Sequence, residues 1–201
     1  MVFTATATLG ILPFQLGHPW NWTFNVYQDL GTRYSAASMG AFNLHALLGG
    51  IEKSDTDLVA GVSYWSVGVS LTIAAYATAA YLAWRARESS AAILAILVAL
   101  LGFFIFMPRM HERYLYYPLV FLTLIALEKR FLRGVFAILS GTLLFNLIYM
   151  KHLTDTSTYF PADPTWPILL ASAINLVMFV AVIGYALLSA SDRAGQDSES
   201  N

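Results

Sequence analysis

Residues 91–107 read AAILAILVALLGFFIFM, seventeen positions without a charge or a hydrogen-bonding side chain. A run that is apolar on every side has no polar face to turn to water, so it belongs inside a bundle or a bilayer. Four further stretches share its character, at 61–84, 114–127, 134–150 and 166–190. A crossing needs about 20 residues at a rise of about 1.5 Å each, and 114–127 reaches that length only by extending into the loop before it. The links RARESS (85–90) and EKRFLR (128–133) are short enough to force antiparallel neighbours.

The whole chain agrees with these segments. Of 201 residues, 58% are hydrophobic and 11% charged, against a charged share of about 25% in soluble domains. The expected class is therefore all-α, a polytopic transmembrane helical bundle of about five spans, with a partial amino-terminal span and interfacial helices. Its expected divisions are a partial transmembrane helix at 1–17, an extracytoplasmic interfacial segment at 18–60, the five-helix bundle at 61–190 and a disordered cytoplasmic tail at 191–201. Aromatic, Asn- and Gly-rich composition between 18 and 60 motivates the interfacial assignment, because rings with one polar edge favour the headgroup level. A net charge of -1 and the lack of aromatic-plus-basic stripes exclude nucleic acid as a partner. With no cysteine, thiolate metal sites, disulfides and a cysteine nucleophile are excluded together.

Basic residues in short loops set the orientation. Arg85, Arg87, Lys129, Arg130 and Arg133 fall on one side, and Arg109, Arg113 and Lys151 on the other, so the first side is expected to be cytoplasmic. All four histidines (His18, His45, His111 and His152) then share the outer face. The outer carboxylates, Asp29, Glu52, Asp55, Asp57, Asp155 and Asp163, lie mostly in polar loops where solvation is their ordinary role. The loop KHLTDTSTYFPADPTWP (151–167) reads as a connector, and NWT (21–23) matches a glycosylation acceptor pattern that recurs by chance.

PRMHER (108–113) concentrates charge between two apolar runs. Arg109 and Arg113 are four apart, a spacing that returns to one side in helix and strand alike, so their forked donors can converge on a phosphate at the headgroup level. His111 joins them in an extended loop, with Glu112 and Tyr114 in support. Arginines at helix ends also snorkel to headgroups without binding a particular ligand, and tyrosines there form ordinary aromatic belts.

MPRMHERYLYYPLVFL (107–122) resembles the His-Glu-Arg-Tyr loop of GT-C type integral-membrane glycosyltransferases, the prokaryotic proteins related to GPI mannosyltransferases. SAASMGAFNLHALLGG (35–50) is similar to a segment upstream of that loop in the same proteins, with Gly40 in place of an Asn and His45 in place of a Trp. The resemblance implies transfer of a sugar, mannose above all, from a polyprenyl- or dolichyl-phosphate donor at the outer face of a bacterial inner membrane. It implies donor-phosphate binding by Arg109, His111 and Arg113, with Glu112, Tyr114 and Asn43 supporting; Asn43 would bond sugar or hold the loop, and a helix–helix hydrogen bond is its other reading. The family's catalytic acid belongs to an amino-terminal half for which this sequence has no counterpart. The chain is thus expected to be a carboxy-terminal part that is inactive alone and needs a separate amino-terminal half, or else a non-catalytic lipid-phosphate-binding subunit. No metal ligand is assigned, and a divalent metal as cofactor is left open.

Overall fold

The computed structural model describes residues 17–19, 21–22, 25–26, 28–29, 35–156 and 164–199. The expected partial span at 1–17 apart from Gly17, half of 18–35, Thr23 of the glycosylation pattern, and residues 157–163 with Asp163 lie outside these. The chain divides into two units, Met1–Ser35 and Ala36–Asn201. In the first, Trp22 and Asn25 donate backbone bonds to Pro19 and Asn21, and the His18 ring stacks on Trp22 at 4.3 Å.

The second unit is a helical bundle. Its elements in chain order are β1 (Ser38–Met39), α1 (Leu44–Leu47), β2 (Leu58–Val59), β3 (Val62–Ser63), α2 (Tyr64–Arg85), α3 (Ser89–Phe106), β4 (Met110–His111), a 3₁₀ turn (Glu112–Leu115), α4 (Tyr116–Ala126), α5 (Arg130–Asp155) and α6 (Trp166–Glu199). Among the described residues four helices are long and apolar enough to cross a membrane: α2, α3, α5 and the Trp166–Ser191 part of α6. Among the described residues the bundle is all-α and polytopic in character, built on the five helices α2 to α6, four of which have the length and apolar composition of a span. The fifth expected span shortens because Pro118 and the preceding turn hold α4 to eleven residues, a rise of about 16 Å. As the sequence requires, it borrows length from the loop before it, through the 3₁₀ turn at Glu112–Leu115. At the other end α6 continues to Glu199, beyond the boundary expected at 190.

The run at 91–107 becomes α3 and occupies the centre. Half of its spanning window is buried, against about a third or less for the other three spanning helices. Leu97, Val98, Leu101, Phe104 and Ile105 are fully buried there with Leu122, Leu139 and Val182 from α4, α5 and α6. Helix α2 lies against α3 at short range because Gly102 offers no side chain: a Cβ there would stand 2.5 Å from that of Ala75. The interhelical links shrink to three residues, Ala86–Glu88 and Leu127–Lys129, which pair α2 with α3 and α4 with α5 as antiparallel neighbours, and the loop and 3₁₀ turn between Phe106 and Tyr116 return the chain from α3 into α4. PRMHER and the end of α5 therefore lie at one end of the bundle, and both short links at the other.

Residues 36–63 depart from interfacial helices. They form one four-residue helix, a two-residue hairpin and several isolated bridges, and Ala37, Ser38, Ala41, Phe42, Asn43, His45 and Ala46 are fully buried. The hairpin turns at Ala60 and Gly61, whose φ of 50° and 85° give the primed turn that suits strand twist. Gly49, with φ of 76°, ends α1.

Candidate functional site: the His-Glu-Arg turn and its buried support

Buried non-helical backbone must find hydrogen-bond partners within the protein. Three asparagines supply them. Asn146 of α5 accepts from the Phe42 N–H at 3.1 Å and donates to the Gly40 carbonyl at 2.8 Å. Asn175 of α6 donates to the Phe42 carbonyl at 2.8 Å, and its Oδ1 accepts from the Thr142 hydroxyl at 2.6 Å. Asn43 caps α1 by accepting from Ala46 N, and donates to the Phe104 carbonyl at 3.3 Å. Asn43 thus holds the loop to α3; fully buried and bonded on both sides of its amide, it is placed for support and not for contact with a sugar.

This buried segment carries the PRMHER loop. β1 pairs in parallel with β4, Ser38 opposite Met110 and Met39 opposite His111, while Gly40 bridges His111. Gly40 takes φ of 82°, and a Cβ would meet Met150 Cε at 2.6 Å, so glycine suits this position both in backbone and in space. His45 is fully buried and its Nε2–H donates to the Phe106 carbonyl at 2.6 Å, securing the last turn of α3 before the loop begins.

Arg109 has a φ of 64°, a left-handed conformation that is costly for a side chain with a Cβ. Its surroundings fix it there. The guanidinium Nε donates to Asp55 Oδ2 at 2.7 Å, the guanidinium carbon lies 4.9 Å from the Trp65 ring centre, and the backbone N–H reaches the Ala37 carbonyl. Asp55 is only 2% exposed, which corrects the expectation that it is a solvated loop carboxylate. Glu52 and Asp57 are exposed, and Asp155 pairs with Lys151 at 2.7 Å along α5.

The next residues form a compact polar group. Glu112 lies 3.6 Å from Arg113 Nη1 and 3.9 Å from His111 Nδ1; the His111 ring meets Tyr114 edge-on at 5.6 Å, and the Arg113 guanidinium sits 5.7 Å from the Tyr114 ring centre. Arg113 is the outermost of them, 61% exposed. At 3.6 Å its contact with Glu112 is electrostatic and too long for a hydrogen bond. Burial pushes the His111 imidazole below its ordinary 6.5, Arg113 pushes it further down, and Glu112 opposes both. Near neutral pH His111 is therefore an uncharged donor or acceptor and not a third cation.

Of the residues expected to bind phosphate, His111 and Arg113 stand together with Glu112 and Tyr114, whereas Arg109 is engaged by Asp55 and Trp65. Arg109 holds the loop; Arg113 presents the exposed charge. Asp55, Trp65, Asn146 and Asn175 enter the site's support unannounced, although a single amide in each of two otherwise apolar spans is a signal for Asn146 and Asn175. Among the described residues no three His, Asp or Glu side chains gather as a metal set.

No family model, curated protein or solved structure matches the chain. The functional reading accordingly rests on the site itself and on the sequence resemblance.

Proposed function

We propose that this membrane protein binds the phosphate of a lipid-linked sugar, of the polyprenyl- or dolichyl-phosphate type, through the His-Glu-Arg turn, in the service of glycosyl transfer at the extracytoplasmic face. The exposed Arg113 beside Glu112, His111 and Tyr114 carries this reading. A guanidinium at the membrane boundary matches phosphate oxygens with a planar fork, and Tyr114 braces one face of it. His111, uncharged, adds one N–H to phosphate or sugar. Arg109 contributes by fixing the turn in its left-handed conformation.

One observation favours a binding role over complete catalysis by this chain. Transfer needs a base for the acceptor hydroxyl, and the two carboxylates nearest the turn, Asp55 and Glu112, both face arginines. Each is thereby turned to a guanidinium and not to an acceptor hydroxyl. We infer that the base comes from another polypeptide segment or subunit, and that this chain alone gives no turnover.

The test is binding of a polyprenyl phosphate to the protein in nanodiscs, comparing wild type with Arg113→Lys and Arg113→Ala. Loss of a charge-assisted bond is expected to cost about 1.5–3 kcal/mol for alanine, with lysine between. Equal affinity in all three would reject the reading and leave Arg113 as a boundary residue that snorkels.

A further inference from the structure

The hairpin that leads into α2 carries an apolar tip which the protein leaves bare. Its residues read LVAGV (58–62), with no polar side chain among them, and Leu58 is 69% and Val62 47% exposed. The register decides what can surround them. Leu58 pairs with Ser63 and Val59 with Val62, and directly paired residues share a face, so Leu58 and Val62 project from opposite faces of the ribbon. Ser63, on the Leu58 face, is committed to capping α2. A ribbon resting on a flat partner is apolar on one face and polar on the other. This one is apolar on both faces and at its turn, which suits immersion in an apolar fluid.

Helix α2 fixes the height of the hairpin. Ser63 accepts from Ser66 N at 3.2 Å as N-cap, so Val62 lies just outside a helix with the length and composition of a span. The 22 residues of α2 rise about 33 Å, against a hydrocarbon core of about 30 Å. Trp65 and Trp84 are both exposed and stand about 28 Å apart along the axis, as two interfacial belts require. The hairpin is thereby held at one boundary of the bilayer, on the side of the PRMHER turn, where Trp65 meets Arg109.

We propose that the Leu58–Val62 tip is immersed in the leaflet it adjoins, with the headgroup–acyl boundary of the bilayer as its partner. The tip continues the lipid-facing surface of α2, on which Ile73 and Tyr76 are exposed. Two residues per strand reach about 7 Å, within the boundary layer of about 5–10 Å that amphipathic elements occupy. Its own backbone limits the depth, because the outward N–H and C=O groups of a two-stranded ribbon need water or headgroups. Glu52, Lys53 and Asp57, exposed just upstream, are charged and belong in water. The base of the hairpin is tied to the site: Tyr64 N donates to the Asp57 carbonyl at 3.1 Å and Trp65 N to the Asp55 carbonyl at 2.8 Å, and Asp55 holds Arg109. Lipid at the tip therefore steadies the segment that fixes the loop, whatever that loop binds.

The experiment uses the full chain in phosphatidylcholine nanodiscs, with Leu58→Cys, Val62→Cys and Lys53→Cys each carrying an environment-sensitive fluorophore. Two quenchers are compared, a phosphatidylcholine with a nitroxide near the glycerol end of its acyl chain and aqueous iodide. Labels at 58 and 62 are both expected to be quenched by the lipid nitroxide about twofold or more beyond the label at 53, which iodide should quench instead, the contrast set by a boundary-layer depth. Iodide quenching at all three positions would overturn the proposal. Lipid quenching at only one of 58 and 62 would mean a ribbon lying flat, and protection of both from either quencher would mean a protein cover; each overturns immersion. Unfolding midpoints of the three variants check that the label leaves the fold intact. The wild type is read directly with a diazirine placed near the headgroup of phosphatidylcholine: cross-links are expected within 58–62, and cross-links that spare this stretch would reject the contact.

Discussion

Asp55 and Arg109, fifty-four residues apart in sequence, meet with 2.7 Å between Oδ2 and Nε, the carboxylate almost fully buried and the guanidinium about a third exposed. The pair joins the buried 36–60 segment to a loop residue held at positive φ. Removing one partner strands the other. Asp55→Asn is expected to destabilise the protein by about 1–3 kcal/mol, less than the loss of a fully buried pair because Arg109 retains access to water. Chemical unfolding in detergent measures it, and a double-mutant cycle with Arg109→Lys isolates the coupling.

Asn146→Leu leaves the Phe42 N–H and the Gly40 carbonyl without partners in a buried place. At about 1–3 kcal/mol for each of the two stranded groups, the expected loss is about 2–6 kcal/mol. An equally apolar change at the exposed Leu144 on the same helix, Leu144→Ile, is the control and should move the unfolding midpoint little.

Stability should fall on mild acidification. Burial lowers the pKa of His45 below 6.5, with the Phe106 carbonyl and then Asp55 opposing that shift. The folded state therefore keeps His45 neutral at a pH where the unfolded chain already binds a proton. Its contribution is fully present above about pH 6.5 and declines as pH falls from there toward the lower folded value. His111 is shifted in the same direction, so His45→Gln should flatten only part of the slope. Thermal unfolding between pH 7.5 and 5 reads both, and a stability that rises on acidification would contradict the assignment.

Gly68→Ala would place a methyl 2.5 Å from the Phe106 carbonyl oxygen, 2.7 Å from Pro108 Cδ and 2.8 Å from His45 Nε2. All three neighbours are backbone or ring atoms and cannot swing aside. Overpacking of this kind costs about 1–3 kcal/mol. Because Pro108 opens the PRMHER loop, lipid-phosphate binding should weaken as well, whereas Gly134→Ala, which meets nothing within 4 Å, should change neither.

Orientation is accessible because the chain has no cysteine. Thr156→Cys, exposed at the end of α5, reports the end of the bundle that bears the turn, and Glu128→Cys reports the opposite end. An impermeant maleimide added to intact cells is expected to label Thr156→Cys alone. The reverse pattern would place the turn in the cytoplasm and remove the outer-face reading.

The bundle was legible because its signal is redundant. The uniformly apolar 91–107 reads as the most enclosed helix, and the short basic links impose alternating direction whichever residue begins each helix. The segment at 36–60 was misjudged because amphipathic aromatics and asparagines suit either a headgroup layer or a buried irregular stretch. What separates the two is whether partners exist for its backbone, and those partners, Asn146 and Asn175, lie more than a hundred residues away. Asp55 failed for a similar reason: a carboxylate among Ser and Thr reads as solvated unless its cation is known. The local cluster of His111, Glu112, Arg113 and Tyr114 was visible as such, being contiguous. That Arg109 would turn from it toward Asp55 depends on a positive φ which no spacing rule foretells.

The asparagine bonds also order events during biogenesis. Phe42 and Gly40 leave the ribosome long before Asn146 and Asn175, and those amides sit nine residues in from the carboxy-terminal end of α5 and the amino-terminal end of α6. Until both helices are inserted, the Phe42 and Gly40 backbone groups lack these partners and must stay hydrated. It can settle only after the last spans arrive, so the turn that it props up is assembled at the close of membrane integration, and a nascent chain arrested before Asn175 would carry the His-Glu-Arg sequence without its shape.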